Sequence, residues 1–253
     1  MWRDRIVCWE RTSSQLSDDW IYVRSNAGIV TASNFGTIHS SIQMRNKSYQ
    51  EAQEKLNTLA QTINYSKLFN FDSHSYGIIT EGEAREWYEN TFGKKVEQVG
   101  LLIPKWDTQI GASPDGFVDH DGIIEIKSPE KMYKSISDYI KHPKCKEPLD
   151  YVGNYSHILP SHYDQMQGGM AVSGRQWCDY IVYCKPENTV FVQRIPFCFK
   201  YWMYTLYPSI RIFINSFIDP MKNYIFFSEE IPNKNTNKFY YKKNPKYQNV
   251  NTI

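Results

Sequence analysis

Apolar positions recur along this chain with two distinct periods. Between residues 44 and 64, Leu56, Leu59, Ala60 and Ile63 share one helical face, which predicts a helix. A second helix is predicted over about 74–92, closed by Gly93. Strand-like alternation follows at about 96–103, 108–112, 115–119 and 123–127, with Pro104 and Asp107 marking the first turn. Ser161 and Asp164 are spaced as an N-terminal capping box for a helix reaching about Val172. Strands are predicted at 177–184 and 189–195, then a helix over 199–218 with a kink at Pro208. Thr31 or Ser33 caps a short helix. Residues 1–20 read as irregular, and 129–160 as a short helical stretch in a polar connection. Strands among helices predict a mixed α/β sheet with helices packed on it.

The 253 residues suffice for one substantial core, and 15% aromatic content argues against general disorder. We take 1–230 as a single domain and 231–253 as a flexible Lys/Asn/Tyr-rich tail. No apolar run is long enough to cross a membrane, and nothing near Met1 reads as a signal peptide. Five cysteines without a Cys-x-x-Cys pair point to free thiols in an intracellular, reducing compartment. They also exclude the clustered set that an iron–sulfur site needs.

The formal charge of +2 hides an asymmetry. Lys234, Lys238, Lys242, Lys243 and Lys246 lie beyond Glu230, leaving 24 basic and 27 acidic residues before them. Contacts of that body to phosphate must be made by a few placed residues, since it lacks the basic surplus of a general nucleic-acid binder.

The chemistry concentrates at Ser113-Pro114-Asp115-Gly116 and Ile124-Glu125-Ile126-Lys127-Ser128-Pro129. Two short strands flank an Asp-Gly turn, a strong hairpin signal. Asp115 sits on the Pro-Asp-Gly turn. Glu125 and Lys127 are two apart on a strand and share a face, while Ile124 and Ile126 point the other way. A solvated Glu-x-Lys pair would have polar flanks, but this one is set among isoleucines. Buried charges are paired or bind metal. Two acids beside a lysine suit a divalent cation and a metal-bound water.

Those two segments resemble the core of the phage lambda exonuclease and YqaJ-like viral recombinase family of PD-(D/E)XK nucleases. Three further blocks agree in order. Arg24-Ser25-Asn26-Ala27-Gly28-Ile29-Val30-Thr31-Ala32-Ser33 resembles the family's early block, with an altered spacing at Asn26-Ala27-Gly28. Gly77 to Arg85, with Tyr88-Glu89, resembles its glutamate-bearing helix. Tyr163-Asp164-Gln165-Met166-Gln167 resembles its Gln-x-Gln helix. The resemblance covers about residues 20–215. It implies a restriction-endonuclease-like core with a central mixed β-sheet flanked by helices. It also implies a nuclease using Mg2+ or Mn2+ as two ions.

Asp115 and Glu125 are then the main metal ligands. The resemblance adds the Ile126 carbonyl, and Glu81 for a second ion, whereas spacing alone would make Glu81 an ion-pair partner of Arg85. Lys127 either activates the attacking water or orients it and offsets phosphate charge. Gln165 and Gln167 cannot share a helix face. By resemblance Gln167 aligns with the active-site glutamine, with Gln165 the neighbouring candidate. Arg24, Thr31 and Ser33 suit a terminal 5′-phosphate, as a guanidinium fork and hydroxyls near a helix N-terminus. His157 and His162 read as structural or surface residues. The expected activity is a 5′→3′ exonuclease on ends of linear double-stranded DNA, in recombination or viral DNA processing. The resemblance implies a single-strand annealing protein as partner and a homo-oligomeric ring. A junction resolvase or structure-selective endonuclease, and a non-catalytic DNA-binding module, are the alternatives.

Overall fold

The computed structural model describes residues 9–12, 15, 17, 20, 23, 28–45, 48–64, 75–128, 135–141, 158–185, 188–222, 224–229 and 238–243. At 9–11, 75–79, 140, 222, 224–229 and 238–243 it describes the backbone alone. The strands are β1 (Trp9–Arg11), β2 (Val30–Thr31), β3 (Val96–Glu97), β4 (Leu102–Pro104), β5 (Ile110–Gly111), β6 (Gly116–Val118), β7 (Gly122–Lys127), β8 (Trp177–Cys184), β9 (Thr189–Pro196), β10 (Tyr224–Glu229) and β11 (Lys238–Lys243). The helices are α1 (Ala32–Ile42), α2 (Tyr49–Asn64), α3 (Ser75–Phe92), α4 (Ile136–Lys141), α5 (Pro160–Ser173) and a continuous stretch α6 over 199–222.

Runs of β-branched and aromatic residues at 122–127 and 177–184 suit strands covered on both faces. They form the middle of a five-stranded sheet ordered β3-β6-β7-β8-β9. β7 and β8 are parallel, with Glu125 opposite Tyr180 and Lys127 opposite Val182. The other pairings in this sheet are antiparallel. Alternation splits the core by face. Phe117, Ile123, Cys178, Tyr180 and Val182 pack with α1, α5 and α6. Val118, Ile124, Ile126, Ile181 and Tyr183 pack with Ala84 and Tyr88 of α3. The observed architecture is the mixed α/β sheet flanked by helices that the pattern predicts.

The backbones of α1 and α5 nearly touch. A Cβ on Gly36 would stand 2.5 Å from the Cα of Ser161, and one on Gly168 would stand 2.3 Å from the Phe35 ring. Only hydrogen in place of a side chain permits this approach. A buried polar lock joins three helices: His39 Nδ1 lies 3.0 Å from Asp164 Oδ2, and Tyr201 donates to Asp164 Oδ1.

That lock corrects the capping expectation. Asp164 is buried and makes no cap, and α5 starts at Pro160 after an extended Leu159. Proline at the first turn needs no partner for a missing N–H. The expected strand over 96–103 divides, because the Thr12 hydroxyl accepts Leu101 N–H at 2.8 Å and β4 turns to pair with β1. The helix expected over 44–64 begins at Tyr49, where Ser48 and Glu51 cap each other. Its Leu56, Ala60 and Ile63 are buried. Around Pro208, α6 widens into π-turns: Tyr207 N–H reaches back five residues to Trp202 O. The wider turn accommodates the carbonyl that proline leaves without a donor. Residues 238–243, within the expected tail, pair antiparallel with 224–229.

Candidate active site

The Pro114-Asp115-Gly116 turn feeds β6, whose antiparallel register with β7 sets Gly116 opposite Ile124. Asp115 N–H donates to Ile124 O at 3.2 Å, and Asp115 Oδ2 accepts Ile126 N–H at 2.6 Å. Ile126, expected to offer its carbonyl, thus meets Asp115 through its N–H. The turn is braced from a distant segment. Gln15 Nε2 donates to Pro114 O at 3.2 Å, and Trp20 Nε1 donates to Ser113 Oγ at 2.9 Å.

Glu125 is 4% exposed. Its Oε1 accepts from Lys127 Nζ and from Gln165 Nε2, both at 2.6 Å. Gln165 Oε1 accepts Lys127 Nζ at 3.1 Å, which closes a three-membered polar ring. Gln165 therefore occupies the place expected for Gln167. Gln167 is fully buried, donating to Pro196 O at 2.9 Å and accepting Cys198 N–H at 2.8 Å. It secures the passage from β9 into α6 and does not reach the cluster. On α3, Glu81 pairs with Arg85 one turn on, as the spacing alone implies. Glu81 also stands within electrostatic reach of Asp115 and Glu125.

These acids hold their protons more tightly than usual. Burial first, then the neighbouring Asp115 and Glu125 charges, push Glu81 up to about 7, against the pull of Arg85 and Lys127. Burial likewise raises Glu125 to about 7, with Lys127 opposing and Asp115 adding to the rise. Asp115 is raised by burial against Lys127, the Ile126 N–H and Arg85. For Lys127, burial favours the neutral amine, but Glu125 and Asp115 outweigh it and its pKa is raised. Lys127 is therefore held protonated in this arrangement, and an amine in that state could orient and offset charge but not take up a proton.

The donor set fits a hard divalent cation. Ile126 N–H and the Gln15 side chain bond the Asp115 carboxylate, and Lys127 and Gln165 share Glu125 Oε1, which leaves Glu125 Oε2 open among the described residues as an oxygen donor that a cation could use. Acids that repel one another at low exposure are those a cation would relieve. Among the described residues no group of three or more His, Cys, Asp and Glu closes on one point. A cation on Asp115 and Glu125 would need Glu81 to leave Arg85, or water and phosphate oxygens to complete its shell.

Of the expected phosphate-holding residues, Arg24 lies outside the described residues. Thr31 holds the N-cap position of α1 but its hydroxyl makes no capping hydrogen bond, and it pairs with Gly111 in a parallel bridge that runs on toward Asp115. Its Oγ1 is 3.0 Å from Ser33 Oγ, and Asn34 Nδ2 donates to it at 3.4 Å. The expected His157 lies outside the described residues. His162 lies on α5 with its Nδ1 2.6 Å from the Tyr180 hydroxyl.

The model of the YqaJ-like viral recombinase domain matches residues 19–176, more than half of the chain. The chain belongs to this family. No curated protein matches it. Among solved structures, an alkaline exonuclease (LHK-Exo) from Laribacter hongkongensis is similar at 26% identity and a TM-score of 0.55, over 79% of this chain and 91% of that one. The same enzyme in complex with dAMP gives 26% identity, a TM-score of 0.56 and the same coverage. The restriction-endonuclease-like core is thus the fold of this YqaJ-like chain, and the kinship supports a nuclease. No helix among the described residues is long and apolar enough to cross a membrane.

The YqaJ-like site shows which residues sequence reasoning missed. Gln15 and Trp20 come from a segment with no local signal. His162 had one: it precedes Gln165 by three on α5, so both fall on the same face.

Proposed function

We propose that this protein is a divalent-metal-dependent exodeoxyribonuclease that degrades one strand of linear double-stranded DNA from its 5′ end. The observation that carries this is the ring of Glu125, Lys127 and Gln165 beside Asp115 and Glu81. It is a set of one buried and two half-buried acids short of counter-charge, with a lysine fixed among them. Asp115, Glu125 and the Ile126 carbonyl would hold one Mg2+ or Mn2+, and Glu81 a second. Such an ion polarises the phosphodiester and lowers the pKa of a bound water.

The side chains do the rest. Gln165 holds Glu125 and Lys127 in one geometry. Lys127 offsets charge on the phosphate, and once the acids are neutralised its amine is freer to take a proton from water. Thr31 and Ser33 at the start of α1, with Arg24, grip the terminal 5′-phosphate. The likeness to LHK-Exo, an alkaline exonuclease, supports end-directed digestion over internal cutting as the reading for this chain. A ring around the duplex and a single-strand annealing partner complete this reading as a recombination enzyme.

The test compares linear duplex bearing 5′-phosphate, the same duplex dephosphorylated, and closed circles, each with Mg2+, Mn2+ or chelator. The expected order is phosphorylated ends fastest, dephosphorylated ends slower, circles intact and chelator silent. Efficient cutting of circles without phosphate dependence would instead make the enzyme an endonuclease. Full activity in chelator would remove the metal.

A further inference from the structure

A second polar chain lies beside the catalytic cluster. His162 Nδ1 is 2.6 Å from Tyr180 Oη, and Tyr180 Oη is 2.8 Å from Tyr139 Oη. Tyr139 and Tyr180 are fully buried. Each participant sits on a different element: His162 on α5, Tyr180 on β8 and Tyr139 on α4. Tyr180 is the cross-strand partner of Glu125, so its side chain rises on the same face. His162 and Gln165 are one turn apart on α5. The helix is therefore tied to the sheet at two successive points, His162 to Tyr180 and Gln165 to Glu125 and Lys127.

We propose that His162, fixed by the Tyr180 hydroxyl, is a positioning residue that sets where Gln165 holds Glu125 and Lys127. The inference deepens the nuclease reading and rests on it. Asp164 ties α5 to α1 and α6, and Gln167 ties it to the passage after β9, so the body of the helix is already held. The His162 contact adds an anchor one turn before Gln165, on the face that meets the ring. Burial, and secondarily the charge of Lys127, hold the imidazole pKa down to about 3. The ring is thus neutral at working pH and adds no second cation beside Lys127. A neutral ring can accept the Tyr180 proton at Nδ1 while Tyr139 donates to Tyr180, a consistent direction for the whole chain. An apolar side chain would leave the buried Tyr180 hydroxyl one partner short, and an acid would disturb the charge balance at Lys127.

Four variants test this: His162→Phe, which keeps a ring without the hydrogen bond; Tyr180→Phe, which deletes only the hydroxyl; His162→Asn, whose amide oxygen can accept the Tyr180 proton in place of the imidazole Nδ1; and Gln165→Ala. Small misplacements of reacting groups cost up to about 10²-fold. His162→Phe and Tyr180→Phe should each lower kcat about tenfold on linear duplex, with KM within about twofold. His162→Asn should recover most of the loss. In a Gln165→Ala background, His162→Phe should add nothing further, because coupled residues are not additive. A metal-free readout is the NMR resonance of the Gln165 side-chain amide, which should move in His162→Phe and Tyr180→Phe and return in His162→Asn.

Additive losses in the double variant, or an unmoved Gln165 amide, would overturn the proposal. If His162→Phe does not fold, Tyr180→Phe and His162→Asn carry the same tests. A wild-type protein that cleaves no DNA, with the amide still moving as expected, supports the positioning and overturns the nuclease reading alone.

Discussion

Two buried acids on adjacent strands make the sharpest contrast in this molecule. Asp179 on β8 and Glu125 on β7 are each 4% exposed, and they face opposite sides of one sheet. Asp179 is saturated. Arg194, directly across the strand pair, binds Oδ1 and Oδ2 at 2.8 Å each, and Tyr88 donates to Oδ2 at 2.6 Å. Arg194 also lies 3.7 Å over the Trp177 ring. Glu125 receives two donors on one oxygen, and the neighbouring Asp115 repels it. Burial alone therefore does not mark a functional carboxylate. What marks Glu125 is where its donors are missing.

The largest expected effect comes from exchanging charge for neutrality at each acid. Glu125→Gln keeps the shape and the capacity to bond Lys127, but removes the charge proposed to bind metal. Cleavage should fall about 10³-fold or more, since metal stabilisation is worth several kcal/mol, with the melting temperature unchanged or higher. Asp179→Asn should do the reverse. Breaking a buried pair costs about 3–5 kcal/mol. Arg194 is 55% exposed on its side chain, so about 2–3 kcal/mol is expected here after solvent screening. Activity per folded molecule should be nearly retained. Chemical denaturation and single-turnover cleavage on both variants would check the contrast, and similar profiles for the two would erase it.

Next in size is Lys127→Ala. Turnover should fall about 10²–10⁴-fold, while calorimetric titration with Mg2+ or Mn2+ still shows binding. Lost binding with intact chemistry at saturating metal would assign Lys127 to holding the acids together.

The smallest effect is a slope. Glu81 and Glu125 ionise near 7 in the folded chain against an ordinary 4.5. Between those values the unfolded state releases its protons first, so the folded state binds more of them. Stability in chelator is therefore fully present below about pH 4.5 and falls as pH rises through about 7. Thermal melts from pH 5 to 8 should show the decline, flatter in Glu125→Gln and relieved by added divalent cation at the upper end. A flat wild-type profile would mean that the acids are already compensated.

Much of this was legible before any coordinates. The strand-like runs at about 123–127 and 177–184 specified the two central strands of the sheet. The two-residue spacing of Glu125 and Lys127 specified a shared face, because the strand period leaves no alternative. The choice between Gln165 and Gln167 was not legible, since it depends on how α5 rolls, and that roll follows from contacts with α1 and Tyr180. The Ser161–Asp164 spacing misled because Pro160 starts the helix and a distant His39 claims the carboxylate. Gln15 and Trp20 brace the Asp115 turn from roughly a hundred positions away in sequence, beyond the reach of any local pattern.

The near contact of α1 with α5 has a mechanical consequence. On the proposed reading, α1 begins with the residues that grip a DNA end, and α5 carries the glutamine that orients the cut. Gly36 and Ser161 join the two helices backbone against backbone, about one turn from Ser33 and from Gln165. The nearest atoms there are main chain of Ser161 and its Cβ. The interval from the held end to the severed bond is then a ruler graduated in main chain, and its step length cannot be retuned by changing the side chains that touch DNA.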